Sequence, residues 1–426
     1  MGNEKSWFQN ARIYHIFTDR FAGMKKEYTE EEIEKNFLYG NLRAALEKLD
    51  YIKSLNFNMI WISPFFVNQP NGFHGYHAIN FNHVDPRIAF GENSPDKEIG
   101  NPLNENDLEL MTNSDKFLQY FIEECHKKNI KVLMDFVPNH LYKTHPFFQD
   151  ALNNTSSKYR NWFYFINKES EDNKNMKYLS FLNFEELPKL NLDNTECGEY
   201  IIKVLNKFLN FGIDAIRIDH CPGPSLNFLK KLKENISKKF PKVPLIGECL
   251  PIGVSKFYNT INSVPKEYLE KIEKFDVNNI QDLDEVFNLY KECFDGVIDF
   301  SFQHIVVWYG EGKITEDKCL ELLNEHYKRF DKNFVLIKNI DSHDTDRILF
   351  KCNNDIEKFK KCLNLLLRKY EGRIDPLIWY YGTEDCMSQD KTVFEKIGDD
   401  YRCRMPMKFK YQTINETFKD NLFQNN

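Results

Sequence analysis

No stretch of this 426-residue chain approaches the roughly 20 consecutive apolar residues that a membrane-spanning helix needs. Blocks of like charge are missing as well. Lys and Arg are scattered and the formal net charge is −7, so no basic field is available for nucleic acid. The ten cysteines fall into no CxxC or Cys/His ligand spacing, which argues against a zinc module and predicts reduced, mostly buried thiols. The beginning, MGNEKSWF, lacks the apolar stretch of a secretory signal, and a cytoplasmic setting is expected. There is no internal repeat and no low-complexity tract. These absences leave a protein expected to meet a small-molecule partner, with neither nucleic acid nor membrane as a binding surface.

What the chain does have is a regular alternation. Short apolar runs at 12–17, 59–63, 131–136, 213–218, 243–247, 296–300, 334–339 and 377–381 read as strands. Amphipathic stretches separate them. Leu42, Leu46, Leu49, Ile52 and Leu55 share one helical face; Ile201, Val204, Leu205 and Phe208 share another, closed by Gly212. Eight buried strands with intervening helices predict an α/β fold, the (β/α)8 barrel, whose strands read as continuous apolar runs. An open doubly wound sheet is the rival, but it would place one site at one switch point, whereas here polar residues follow at least five of the runs. Residues 141–190 break the rhythm. They are too long for an ordinary strand-to-helix loop and too aromatic for a linker. They are expected to form a small inserted domain over the barrel mouth, with 1–140 and 191–426 building the barrel. After the eighth run only a final helix, at 413–423, is expected, and no all-β domain.

Four of the runs end in acids or histidines: Asp135, Asn139 and His140 in MDFVPNH, Arg217 and Asp219 in GIDAIRIDH, Glu248 in LIGEC, and His343 and Asp344 in NIDSHD. Residues two apart on a strand point the same way, so Arg217 and Asp219 project side by side. Barrel enzymes gather their chemistry at the C-terminal strand ends, which puts these groups on one rim with His74 and Tyr76. Three carboxylates around one pocket suit glycoside cleavage, in which one attacks the anomeric carbon and another donates a proton. Arg217 is expected to keep Asp219 ionised, and Glu248 to need a raised pKa.

At these residues the chain resembles the α-amylase family of retaining glycoside hydrolases. LPKLN, which runs up to Leu192, is similar to the form found in neopullulanases, cyclomaltodextrinases and maltogenic amylases, and HGYHAINFNHVDP, THPFFQDAL, IWYYGTED and RCRMPMKF match further segments in order. The resemblance covers nearly the whole chain. It implies Asp219 as nucleophile, Glu248 as general acid/base and Asp344 as third carboxylate. It also implies Arg217 orienting Asp219, His140 and His343 hydrogen-bonding the sugar, Tyr76 stacking on it, and Asp135 supporting the site from behind. The implied substrate is an α-glucan or malto-oligosaccharide, with no cofactor. Structural calcium is not favoured: Asn139 is a ligand in some relatives, but no acidic partner from the insert is recognisable.

The chain departs from the pattern at His220-Cys221-Pro222-Gly223, where enzymes of long glucans commonly carry Lys-His, and at His77 and Asn80, where Asp is usual. By the same resemblance it is expected to begin directly at the barrel. Two other outcomes stay open: an α-glucan transglycosylase using the same carboxylates, and a non-catalytic sugar-binding barrel. A metal-dependent amidohydrolase would need paired histidines after the first strand, where Ile13-Tyr14-His15-Ile16-Phe17 stands instead.

Overall fold

Eight parallel strands close on themselves in the computed structural model, which describes residues 3–25, 27–166, 177–250, 279–393, 395 and 399–409. In chain order the strands are β1 (Arg12–Ile16), β2 (Met59–Ile62), β3 (Phe66–Asn68), β4 (Ala78–Val84), β5 (Lys131–Phe136), β6 (Ala215–Ile218), β7 (Leu245–Gly247), β8 (Gly296–Asp299), β9 (Val335–Lys338) and β10 (Leu377–Tyr380). The barrel runs β1-β10-β9-β8-β7-β6-β5-β2 and closes. Every barrel strand lies inside its predicted run, within two residues of its ends. Their side chains are almost all buried because helices cover the outer face and residues such as Ile13, Ile60, Val132, Ile216 and Val297 fill the rest.

Short polar residues open the outer helices. Thr112 caps Asn113–Lys127 in a reciprocal capping box with Asp115. Asn194, Ser225, Thr315 and Asp355 each accept a backbone N–H at the start of Thr195–Leu209, Leu226–Lys239, Glu316–Lys328 and Ile356–Leu367. Gly212, at φ +102°, leads out of Thr195–Leu209, a conformation that a side chain would strain. The leucine stripe from Leu42 to Leu55 differs from expectation: it is divided into Leu42–Leu46 and Leu49–Ser54, which bury Leu42 and Ala45, then Leu49 and Ile52.

The antiparallel pair β3–β4 was not evident from the sequence, and its composition explains why. Asn80, Asn82 and His83 of β4 are buried, which conceals the strand among polar residues. They are satisfied by acids from the following loop and helix: Asn82 Nδ2 donates to Asp107 at 2.8 Å, and His83 Nδ1 lies 2.7 Å from Asp115.

Within 141–190, helix Pro146–Asn153 and the described residues around it pack through aromatic rings. Phe147 and Trp162 meet Tyr200 of the barrel helix Thr195–Leu209, Tyr159 packs on both of them, and Phe148 meets Phe163 and Tyr178. Trp162 and Phe163 are therefore core residues. The segment returns through isolated antiparallel pairs, among them His140 with Lys189 and Phe163 with Leu190. The polar stretch 169–175 and the expected helix 413–423 lie outside the described residues.

A second polar network locks the outer layer near β8. His326, fully buried, places Nδ1 2.8 Å from Asp284 and Nε2 3.0 Å from Asp299, while Arg329 and Tyr327 complete the two carboxylates. Burial alone would lower the imidazole pKa, but Asp299 and Asp284 overcome it and raise the value to about 10. The folded value lies above the unfolded one of about 6.5, so the contribution to stability is full below that pH and is lost as pH climbs toward 10. His326→Gln is expected to lower the urea midpoint most at pH 6, with the gap to wild type narrowing by pH 10. A gap that stays constant across this range would contradict the charged imidazole.

Candidate active site

The C-terminal rim of the barrel brings the predicted groups together around one guanidinium. Asp135 and Arg217 stand opposite each other in the β5–β6 register, and the ladder continues beyond the strands through Asp219 N–H to Phe136 O and Glu248 N–H to Ile218 O. Arg217, with its side chain 1 % exposed, donates from Nη1 to Asp135 and to Asp219, each at 2.7 Å, and from Nη2 to Glu248 at 2.5 Å. One cation thus holds three carboxylates. Gly247 matters to this placement: a Cβ there would come within 2.6 Å of the Phe294 ring and 2.8 Å of the Cys249 sulfur, pushing Glu248 off its line.

Asp135 is fully buried behind Arg217. Its second oxygen accepts from Trp61 Nε1 at 3.1 Å and from the Tyr76 hydroxyl at 2.9 Å. The Tyr76 hydroxyl also lies 2.6 Å from His343 Nε2, and the two rings are parallel with centroids 5.5 Å apart. His343 Nε2 continues to Asp344 Oδ2 at 2.9 Å. A chain of polar contacts therefore runs Asp344–His343–Tyr76–Asp135–Arg217 and divides there to Asp219 and Glu248. Asp344 does not end a strand; it sits on the loop after β9 with its side chain 47 % exposed. His140 is buried, with Nδ1 3.2 Å from Asn139 Nδ2, no partner for Nε2, and its ring against Phe181 at 4.7 Å.

Electrostatics corrects one expectation. Burial pushes the Asp219 carboxyl well above the ordinary aspartate range, and Glu248, Asp135 and Asp344 add to the rise; Arg217 opposes it without prevailing. Glu248 is raised for the same reasons, burial first, with Asp344 adding, and with Arg217 and the His220 N–H (2.9 Å to Oε2) pulling the other way. Both carboxyls therefore hold a proton more tightly than an isolated carboxyl does. Asp344 goes down: enclosure pushes it up, but His343 and Arg404 outweigh that. Burial keeps His140 and His220 well below the usual histidine value, hence neutral.

Four groups in this neighbourhood escaped the sequence reading. Trp61 sits in an apolar run, where tryptophan reads as core. Phe181, which packs edge-on against His220 at 4.7 Å, belongs to a turn in which Leu182 and Asn183 both take positive φ. Arg404 lies in RCRMPMKF, a segment to which no role had attached. Lys189 is the fourth. Its buried ammonium donates to Gly223 O at 2.6 Å and to Asn139 Oδ1 at 3.3 Å, and burial lowers its pKa to about 7. A cation beside Asn139 would have to compete with this ammonium for the same oxygens, so these residues do not fit calcium. No group of three or more His, Cys, Asp or Glu arranged for a metal occurs among the described residues.

Comparison with known proteins places this geometry in context. The model of the alpha amylase catalytic domain matches residues 15–116 and 112–421. Alpha-amylase 2 of Dictyoglomus thermophilum is 30 % identical over 392 residues, covering 91 % of this chain and 57 % of that protein. A cyclomaltodextrinase of Thermoanaerobacter pseudethanolicus is 24 % identical, over 84 % of this chain and 54 % of its own length. The chain thus spans little more than half the length of the curated relatives it matches. Among solved structures, the cyclic α-maltosyl-(1→6)-maltose hydrolase of Arthrobacter globiformis in complex with maltose superposes with a TM-score of 0.72 at 20 % identity, covering 98 % of this chain and 82 % of that one, a likeness of fold. The site itself generates a test: because Lys189 occupies the oxygens beside Asn139, a chelator is expected to leave the melting temperature of the wild type unchanged. A drop that calcium restores would contradict it.

Proposed function

Because the chain belongs to the alpha-amylase family, we propose that it is a retaining hydrolase of α-glucosidic bonds in malto-oligosaccharides or cyclic maltodextrins. The observation that carries this reading is the single guanidinium bonded to both Asp219 and Glu248. One planar group anchors both carboxyls on the same rim, and a nucleophile beside an acid/base is the pair that retaining cleavage requires.

The proposed cycle follows from the site. A glycosidic oxygen entering beside Glu248 accepts a hydrogen bond only from its protonated form, so substrate favours the proton on Glu248 and the charge on Asp219. Asp219 then attacks the anomeric carbon as Glu248 protonates the departing oxygen, giving a glycosyl ester on Asp219. Glu248, now anionic, takes a proton from the incoming water, which opens the ester with net retention. The positive charge developing on the sugar faces Asp344, already ionised by its partners. In this reading His140 and Tyr76, whose hydroxyl faces Asp135 and His343, meet sugar hydroxyls and the ring face. Within this reading 141–190 acts as the inserted domain that walls the cleft, presenting Phe181 between His140 and His220. The free, largely buried cysteines support an intracellular setting.

Product chromatography on maltotriose, maltoheptaose, β-cyclodextrin, pullulan and sucrose tests the reading. Wild type is expected to cleave maltoheptaose or β-cyclodextrin, and Asp219→Asn to lose about a thousandfold or more in kcat. Products longer than the substrate would identify a transferase instead, and no change in any sugar would leave a binding barrel. The pH profile adds a second test. kcat/KM is expected to be bell-shaped, with an alkaline limb above the ordinary carboxyl range, and Glu248→Gln should abolish that limb along with most of the activity. A limb that survives in the residual activity would take the proton away from Glu248.

A further inference from the structure

Arg404 belongs to none of the strands or helices that build the rim, yet it reaches the cleft with all three guanidinium nitrogens engaged. Nη2 donates to Asp344 Oδ1 at 2.8 Å, Nε to the His343 carbonyl at 2.7 Å, and Nη1 to Asp400 Oδ2 at 2.6 Å. Its side chain is 6 % exposed, and the guanidinium lies 5.2 Å from the centre of the Phe17 ring. These partners come from two segments about 60 residues apart in sequence, the loop after β9 and the segment around residue 400.

The need for such a group is plain from Asp344. It stands on a loop, half exposed, where a short side chain would sample several rotamers. Here both carboxylate oxygens are fixed from opposite sides, Oδ2 by His343 and Oδ1 by Arg404. The segment that carries Arg404 is itself anchored. Arg347 Nε and the Tyr380 hydroxyl donate to Cys403 O at 3.1 and 3.2 Å, the Tyr381 hydroxyl donates to Met405 O at 2.7 Å, and Met407 N–H donates to Arg20 O at 2.8 Å. Position is thus passed from the β10 end of the barrel to the third carboxylate through a planar, preorganised fork.

We propose that Arg404 is a positioning residue that sets the geometry of Asp344 from the C-terminal segment, so that the third carboxylate is already in place when the sugar distorts. The assignment rests on the glycosidase reading above. A lysine at 404 keeps the charge but cannot hold an aspartate oxygen, a backbone carbonyl and Asp400 with one planar group.

Arg404→Lys and Arg404→Met, measured with wild type on maltoheptaose and checked for folding by circular dichroism melting, test it. Both variants are expected to lose about tenfold or more in kcat with KM changed by less than about threefold, since the loss falls on the transition state. Only Arg404→Met should move the alkaline limb of kcat/KM to higher pH, because only it removes a positive charge beside Asp344, whose own charge raises the proton affinity of Glu248. A merely structural role would reduce the amount of folded enzyme and leave the pH profile in place. Should both variants melt early, Asp400→Asn, which frees Nη1 alone, is expected to lower kcat several-fold at unchanged KM. Activity of Arg404→Lys or Asp400→Asn within twofold of wild type would overturn the proposal. A wild type that cleaves no glucan would sink the glycosidase reading and this role with it, an outcome distinct from active wild type with indifferent variants.

Discussion

The site is organised by three carboxyl groups gathered on one buried arginine. Asp135, Asp219 and Glu248 all bond to Arg217, which leaves more negative charge than the guanidinium can neutralise in a place from which water is largely excluded. The excess raises the proton affinity of Asp219 and Glu248. Burial is the largest cause in both, with Glu248 adding to the rise of Asp219 and Asp344 adding to both. Without Arg217 both carboxyls would rise further, since the guanidinium is the largest influence that lowers each of them.

Much of the rest follows from where this pair must be held. Parallel register aligns Asp135 with Arg217, and the same ladder carries Asp219 and Glu248, each one residue past the end of its strand. Asp344 comes from a loop, so its position is supplied by His343 and Arg404. Lys189 does comparable work under the inserted segment. Its ammonium ties Asn139 and Gly223 together, joining the loops after β5 and β6 at the floor where 141–190 departs. Buried side-chain cations thus supply the fixed points of the cleft, with the barrel as their frame.

The barrel was legible in the sequence because its strands are buried on both faces and so read as uninterrupted apolar runs. The polar residues that follow those runs were legible as one rim for the same reason: the eye meets acids where a strand should turn into a helix. β4 was not, since Asn80, Asn82 and His83 face inward and owe their burial to Asp107 and Asp115, which lie 24 to 35 residues further on. Arg404 and Lys189 were present in quoted segments but silent, because their partners are distant and a lone cation in sequence says nothing of what it bonds. The proton affinity of Asp219 was misjudged for a related cause. Arg217 two residues away is visible locally, whereas desolvation and three further carboxylates are properties of the assembled site.

The claim that Asp219 is the nucleophile and Glu248 the proton donor is tested most directly by trapping the intermediate. A 5-fluoro maltosyl fluoride forms a glycosyl ester that hydrolyses slowly, and peptide mapping by mass spectrometry locates it. One added fluoromaltosyl group on the peptide containing Asp219, with none on Asp219→Asn, is the predicted result. A label on Glu248 or Asp344, or turnover of the fluoride with inverted configuration and no label, would contradict the account.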